Sequence, residues 1–261
     1  MATGMASSIR TQRVMAFLLA ATLIVPPSAA YAVGSDAAAA TVQRSRQSVD
    51  DAAERILLGG VPVRLRAGTR QVITVDHTTG WHARVSLWRL ADATWVRGRT
   101  TTDGRIGYGG LVRARERRQG TGTTPRGTFE LTESFGNESA PSGTRLPFHD
   151  VRAGDFWVQD NASRYYNTLR NKHEGGFRWR LPSGADNSSE RLRDYPKQYA
   201  WSVVIDFNRP PNAVRYRGSG IFLHVNGSGA TAGCVSVPRP LQRRALSWLR
   251  PRALPVIAIG D

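Results

Sequence analysis

Apolar and polar residues alternate in short runs from Val61 onward, which is the pattern of β-strands. Three runs have this character or are rich in β-branched residues: 61–65, 71–75 and 84–87. Residues that favour turns separate the runs, at Gly68, 78–80 and 102–104. The pattern therefore predicts an antiparallel, mainly β protein in this half of the chain.

The last third of the chain continues the pattern and adds one helix. Four further strands are predicted at 201–207, 221–224, 234–237 and 255–259. Between the last two, Pro238 and Pro240 introduce a short helix, because proline is tolerated in a first helical turn. Its apolar face is predicted to contain Leu241, Ala245, Trp248 and Leu249. The fold class is thus mainly β with small helical additions.

The N-terminus has the features of a secretory signal. Arg10 and Arg13 precede an apolar run over 14–25, and Ala30-Tyr31-Ala32 is a small-x-small cleavage site. The apolar run is shorter than the ~20 residues that span a bilayer. We expect cleavage after Ala32, which gives an exported protein with no stable membrane insertion.

The chain divides into three segments on this interpretation. Residues 1–32 form the signal peptide, and residues 33–55 form a low-complexity linker that offers few side chains to bury. Residues 56–261 are long enough to build one domain with a sizeable core. We expect that domain to be a monomer.

The charge balance is strongly basic, with 36 Lys and Arg against 20 Asp and Glu and a net charge of +16. Such an excess favours polyanions as partners. For an exported protein the expected partner is an anionic cell-wall polymer rather than nucleic acid. The densest cluster, 113–118, is either a solvated face or a set of arginines that grip carboxylates.

Cys234 is the sole cysteine of the chain and follows His224 by ten residues. A lone thiol has no intramolecular disulfide partner, whereas a nearby imidazole can accept its proton and lower its pKa from ~8.5. If their strands pair, directly opposed Cβ atoms lie ~4.5–5.5 Å apart. Gly233 allows a close approach of substrate, and the Gly233 and Cys234 amides can face an oxyanion. The alternative is an inert buried thiol and a core histidine.

These residues belong to a set of motifs that resembles a known family. Thr231-Ala-Gly-Cys-Val235, after a strand that ends in His224, resembles the active-site signature of the L,D-transpeptidase (YkuD-like) catalytic domain. Four other segments resemble that family in the same order: 119–129, 155–167, 189–192 and 203–208. The resemblance extends over roughly residues 105–260. It implies a β-sandwich or barrel of antiparallel and mixed strands, with residues 56–261 as the catalytic domain.

The resemblance also implies acyl transfer on peptidoglycan stem peptides in the cell wall. Cys234 would form a thioester, with His224 as general base and the Gly233 and Cys234 amides around the oxyanion. Thr231 would orient the imidazole. No cofactor and no metal are implied. Trp157, Asp160, Tyr166 and Asn167 are expected either to shape the cleft or to belong to the core.

Two positions depart from the family pattern. Ala232 occupies the place of a second histidine, and Ser236 that of an arginine or asparagine. The interval between His224 and Cys234 is also shorter than in the commonest members. His224 is therefore expected to act as the base without help from a second imidazole.

Three other hypotheses remain open at this point. The same fold can act as a carboxypeptidase if water resolves the thioester, and a non-catalytic basic module can bind the wall with an incidental thiol. A sortase would use His173, Cys234 and Arg243 or Arg244, although its thiol follows a different local motif. No histidine follows Cys234, which disfavours a papain-like order.

Overall fold

The computed structural model describes residues 54–261. The expected signal peptide and residues 33–53 of the expected linker lie outside the described residues. The first strand begins at Glu54, so residues 54 and 55 are already part of the β structure. Among the described residues, no helix is both long and apolar enough to span a bilayer.

Sixteen strands and a single α-helix are formed within residues 54–261. The strands are β1 (Glu54–Leu58), β2 (Val61–Leu65), β3 (Gln71–His77), β4 (His82–Ala91), β5 (Thr94–Arg105), β6 (Leu111–Arg113), β7 (Thr124–Glu130), β8 (Ser134–Gly136), β9 (Phe148–Asp150), β10 (Asp155–Trp157), β11 (Leu169–Asn171), β12 (Glu190–Arg191), β13 (Ser202–Val204), β14 (Phe222–Val225), β15 (Val235–Val237) and β16 (Val256–Gly260). The α-helix is α1 (Arg239–Trp248), and 3-10 helices occur at Ala114–Glu116, Lys172–Glu174, Leu192–Asp194, Gln198–Ala200 and Pro251–Ala253.

The central feature is an eleven-stranded sheet with the order β6-β7-β16-β3-β4-β5-β15-β14-β13-β8-β9. It is mixed rather than purely antiparallel, because four of its pairs, β6–β7, β8–β9, β3–β16 and β14–β15, are parallel. The mainly β class with antiparallel and mixed strands, which the family resemblance implies, is confirmed, whereas alternation alone predicts only antiparallel pairing. Alternation of side chains predicts a strand but not its neighbour, which is set by contacts distant in sequence.

The largest core cluster combines the inner faces of this sheet with α1. Leu241 and Ala245 of the helix are buried, as predicted, and so is Leu249 directly after it, while Trp248 is only partly buried. Gln242 is buried too, and its Nε2 donates to the backbone oxygens of Trp201 and Leu223. This polar contact attaches the helix to β14, which holds His224.

Two smaller sheets cover the large one at different places. The β1–β2 hairpin contributes Val61, Val63 and Leu65 to a second apolar cluster with β3 and β16. The three-stranded sheet has the order β11-β10-β12, and its register pairs Glu190 with Trp157. Through β12 it brings Glu190 to the groove described below.

Candidate active site

Strands β14 and β15 hold the imidazole and the thiol on neighbouring chains. They pair in parallel, with Leu223 opposite Val235 and His224 opposite Ser236. The expected direct opposition of His224 and Cys234 is therefore wrong. A parallel pair needs a return connection, and residues 226–234 provide it, so that Cys234 ends the connection beside Phe222.

The Cys234 thiol is enclosed by backbone groups and is only 8% exposed. Its Sγ donates to the Gly220 oxygen at 3.3 Å and accepts a hydrogen bond from the Phe222 amide at 3.4 Å. Burial, followed by the negative charge of Glu190, raises the pKa of Cys234 to about 12. The resting thiol is thus protonated, contrary to the lowered pKa expected from the sequence.

The His224 imidazole is also buried, at 6% exposure. Its Nδ1 lies 2.8 Å from the Val225 backbone oxygen. A carbonyl oxygen only accepts, so Nδ1 carries the proton and Nε2 keeps a free lone pair. Burial lowers the pKa of His224 to about 4, which keeps the ring neutral at physiological pH. No hydrogen bond joins this ring to the thiol of Cys234 in the described part of the chain.

Both side chains open onto the same groove, which has a volume of about 1270 Å³. Its lining includes side chains that are ionisable, polar or nucleophilic: Arg117, Glu190, Tyr199, His224, Thr231 and Cys234. The groove can therefore admit a peptide to a thiol and a neutral base together.

Gly233 has a backbone conformation and surroundings that require glycine. Its φ is +127°, and a methyl group on its Cα would lie 2.7 Å from Arg117 Nη2 and 2.8 Å from the Thr123 oxygen. Its amide donates to the Thr231 hydroxyl at 3.1 Å, so this amide is engaged rather than directed at a vacant oxyanion position.

The Thr231 hydroxyl supports the turn that presents Cys234. It donates to the Cys234 backbone oxygen at 2.6 Å and accepts from the Gly233 amide. Its backbone pairs with the 106–108 segment through Ile106 and Tyr108. These partners differ from the sequence expectation, in which Thr231 orients the imidazole of His224.

One arginine of the 113–118 cluster belongs to the site. Arg117 is buried, and its Nε and Nη1 donate to the backbone oxygens of Thr123 and Arg217 at 2.7 and 3.2 Å. The positive charge of Arg117 lowers the pKa of Cys234, although burial has the larger, opposite effect on that thiol. Burial also lowers the pKa of Arg117 itself. Arg113, Arg115 and Arg118 are exposed, as expected for a solvated face.

Four residues were expected either to shape the cleft or to belong to the core: Trp157, Asp160, Tyr166 and Asn167. All four are buried, and none lines the groove. Asn167 Oδ1 accepts from Trp157 Nε1 at 2.7 Å and from the Gly220 amide at 3.0 Å. Asn167 therefore acts from behind the site, since it fixes Gly220, whose oxygen accepts the thiol proton, whereas Asp160 binds Arg178 and the Tyr166 hydroxyl accepts from the Gly218 amide.

Two groove residues were not identified from the sequence as functional. The Tyr199 hydroxyl donates to Glu190 Oε1 at 2.6 Å, and its ring lies edge-on to His224 with centroids 5.3 Å apart. Burial raises the pKa of Glu190 to about 7 and raises that of Tyr199 further above its usual range. The available signal was the 189–192 motif, which contains an acidic residue within a basic chain.

The two departures from the family pattern have different surroundings. Ala232 is exposed on the groove wall, and the Ser236 hydroxyl is turned to Asn226 Oδ1 at 2.8 Å. Neither supplies a second base to His224. The sortase hypothesis is not supported by placement, because His173, Arg243 and Arg244 do not line the groove that contains Cys234.

Comparison with known protein families gives one match, and it includes both strands of the site. The L,D-transpeptidase catalytic domain (YkuD) family matches residues 71–257. Comparisons with curated proteins and with solved structures return no match. The family match covers most of the chain and agrees with the resemblance seen in the sequence motifs. The chain therefore belongs to the L,D-transpeptidase catalytic domain family.

Proposed function

We propose that this protein is an exported cysteine acyltransferase that cross-links or remodels peptidoglycan stem peptides. Family membership indicates an enzyme that acts on peptidoglycan outside the cytoplasm. The observation that carries the finer proposal is the shared groove, which gives a peptide access to both Cys234 and His224. The proposal includes export through residues 1–32, a linker that ends before Glu54 and a monomeric catalytic domain that begins with β1.

The first half-reaction transfers an acyl group to sulfur. His224 Nε2 takes the thiol proton as Sγ of Cys234 attacks the carbonyl carbon before the terminal residue of a donor stem. When the tetrahedral intermediate collapses, the carbon–nitrogen bond breaks and the leaving amine takes the proton from the imidazolium. The Cys234 amide is the proposed oxyanion donor, because the Gly233 amide already binds Thr231.

The resting site is a neutral pair rather than a thiolate and an imidazolium. A thiol pKa of about 12 and an imidazole pKa of about 4 both oppose proton transfer in the empty groove. Charge separation must therefore be stabilised by the bound substrate and by the fixed charge of Arg117. The thiol is activated as part of the reaction with substrate.

A second region supports the proposal that the domain binds anionic wall polymers. Arg89, Arg99 and Arg244 surround a hollow of about 410 Å³ that is also lined by Leu87 and Trp248. The three arginines are exposed and form no ion pair with any residue of 54–261. A chain of phosphate or carboxylate groups fits such a cluster.

The test of the nucleophile and base is intact-mass analysis after exposure to a carbapenem, a β-lactam that acylates the thiol of this family. We expect one adduct on wild-type protein and none on Cys234→Ala or His224→Ala. An unmodified wild-type protein would favour the non-catalytic wall-binding module. That alternative also predicts that wall affinity survives Cys234→Ser.

The carboxypeptidase alternative requires a separate measurement, because it shares the thioester. A tetrapeptide stem is incubated with and without an amine acceptor, and the products are compared by mass. A cross-linked product supports transfer. A shortened stem as the sole product, at any acceptor concentration, supports hydrolysis.

A further inference from the structure

Glu190 places a carboxyl group on the groove wall, and the acylation step proposed for Cys234 and His224 gives this group no role. Oε1 accepts from the Tyr199 hydroxyl at 2.6 Å, and Oε2 accepts from Gln159 Nε2 at 3.3 Å. Glu190 is partly exposed and lines the groove, so a ligand bound there lies beside this side chain.

The carboxylate has no cationic partner in the protein. No Arg, Lys or His of residues 54–261 forms an ion pair with it. The three arginines that line the groove contact other groups. Arg117 binds backbone oxygens, Arg180 lies over the Trp179 ring, and Arg191 pairs with Asp194 and lies over Phe156. In a chain with a net charge of +16, an unpaired carboxylate in a ligand groove indicates a cationic ligand.

Glu190 lies close to the reacting sulfur, with Gly220 between them. The Gly220 oxygen accepts the Cys234 thiol proton at 3.3 Å, and a methyl group on its Cα would lie 3.5 Å from Glu190 Oε2. The charge of Glu190 is near enough to raise the pKa of the thiol. Asp194, Tyr195 and Tyr199 are the other ionisable groups near the carboxyl.

We propose that Glu190 binds the amino group of the acyl acceptor and takes a proton from it. This inference rests on the proposed acyl transfer and assigns the acceptor side of the same groove. The acceptor class is therefore a primary amine that arrives as an ammonium ion, such as the side-chain amine of a diamino acid. Tyr199 and Gln159 hold the carboxylate in place.

The second half-reaction then balances as follows. The ammonium group gives one proton to the Glu190 carboxylate and becomes a neutral amine, whose nitrogen attacks the thioester carbon. The carbon–sulfur bond breaks and an amide bond forms, while His224 accepts the second proton from nitrogen and returns it to sulfur. Glu190 releases its proton to solvent before the next turnover.

The test uses Glu190→Gln, which keeps an oxygen to accept from Tyr199 but removes the charge. The mature protein is acylated by a tetrapeptide stem at pH 8 and supplied with one of two acceptors. Nα-acetyl-lysine amide is cationic at this pH, whereas hydroxylamine is uncharged. We expect transfer to the lysine amine to fall about ten- to a hundredfold, because the variant loses one charge-assisted contact with the ammonium group. Acylation should not slow, because the lost Glu190 charge is one that raises the pKa of the thiol, and transfer to hydroxylamine should fall much less than transfer to the lysine amine.

Asp186→Asn is the matched control, because Asp186 is an exposed carboxylate on the same groove. This variant should leave the rates of transfer to both acceptors unchanged. Glu190→Asp retains the charge and should retain part of the preference for the lysine amine, which provides a second test if the glutamine variant does not fold.

Three outcomes would overturn the inference. They are an unchanged preference for the lysine amine in Glu190→Gln, an equal loss with both acceptors, and a loss of acylation itself. A loss of acylation would mean that Glu190 acts on the thiol in the first half-reaction rather than on the acceptor. Failure of the wild-type protein to become acylated would instead contradict the proposed function, so the two failures are distinguishable.

Discussion

The Cys234 thiol donates its hydrogen bond to the Gly220 oxygen, at 3.3 Å, and not to the imidazole of His224. In the proposed mechanism, the proton must therefore leave a backbone acceptor before the imidazole can take it. A carbonyl oxygen cannot act as a base, so this contact holds the thiol in its unreactive form. In the proposed mechanism, activation requires the incoming substrate to disturb this contact.

The first prediction concerns His224 and the dependence of stability on pH. The imidazole is protonated near pH 6.5 in the unfolded chain but only near pH 4 in the fold. Stability is therefore lost as pH falls from about 6.5 to 4, by up to ~3 kcal/mol. His224→Gln should remove this loss and also abolish acylation. Chemical denaturation at pH 7 and pH 4.5 measures it.

His173→Gln is the control for that measurement, since His173 is exposed and outside the groove. Its stability should follow that of the wild-type protein at both pH values. Equal acid sensitivity in His224→Gln and wild type would contradict the neutral buried imidazole.

The second prediction concerns the backbone of Gly233. Gly233→Ala places a methyl group against Arg117 and the Thr123 oxygen at a φ of +127°. We expect a loss of about 1–3 kcal/mol in the free energy of unfolding and little remaining acylation. Gly229→Ala, in the same connection, has no atom within 4 Å of the new methyl group and should be close to neutral. Thermal denaturation and adduct mass test both variants.

The third prediction separates support of the turn from orientation of the imidazole. Thr231→Val removes the hydroxyl that bridges the Cys234 oxygen and the Gly233 amide, and should cost about 1–2 kcal/mol. Acylation should slow, with an unchanged pH dependence, because the hydroxyl does not contact His224. Thr231→Ser keeps the hydroxyl and should restore the rate. A shifted pH profile in the valine variant would instead favour a role in orienting the base.

The fourth prediction concerns the basic hollow. Replacing Arg89, Arg99 and Arg244 with glutamine should weaken binding to polyphosphate by about tenfold or more at low salt. The effect should shrink as salt rises, because exposed charges are screened. The matched variant replaces Arg113, Arg115 and Arg118, which removes equal charge from another exposed region. Equal losses in the two variants would mean that net charge, rather than this hollow, governs binding.

Local pattern was sufficient to predict much of the secondary structure. Alternation predicted β2, and β-branched residues predicted β3, since both properties act over neighbouring residues. The helix after Pro238 was also confirmed. The strand predicted at 201–207 is shorter, Ser202–Val204, because the following residues leave the sheet for the loop that ends at Gly220.

The arrangement of the site was harder to predict, because it depends on pairs distant in sequence. Nothing local distinguishes a parallel return from a hairpin between His224 and Cys234. Glu190 and Tyr199 reach the groove from another sheet and a 3-10 helix. The direction of the thiol pKa shift depends on burial, which is a property of the whole fold.

The enclosed, protonated state of Cys234 has a further consequence for its oxidation. Peroxides oxidise the thiolate rather than the thiol, and they need access to the sulfur. A cysteine that remains protonated and 8% exposed is therefore expected to resist conversion to sulfenic acid. If the protein is exported as proposed, the same burial that makes activation depend on substrate also protects the thiol in an oxidising compartment.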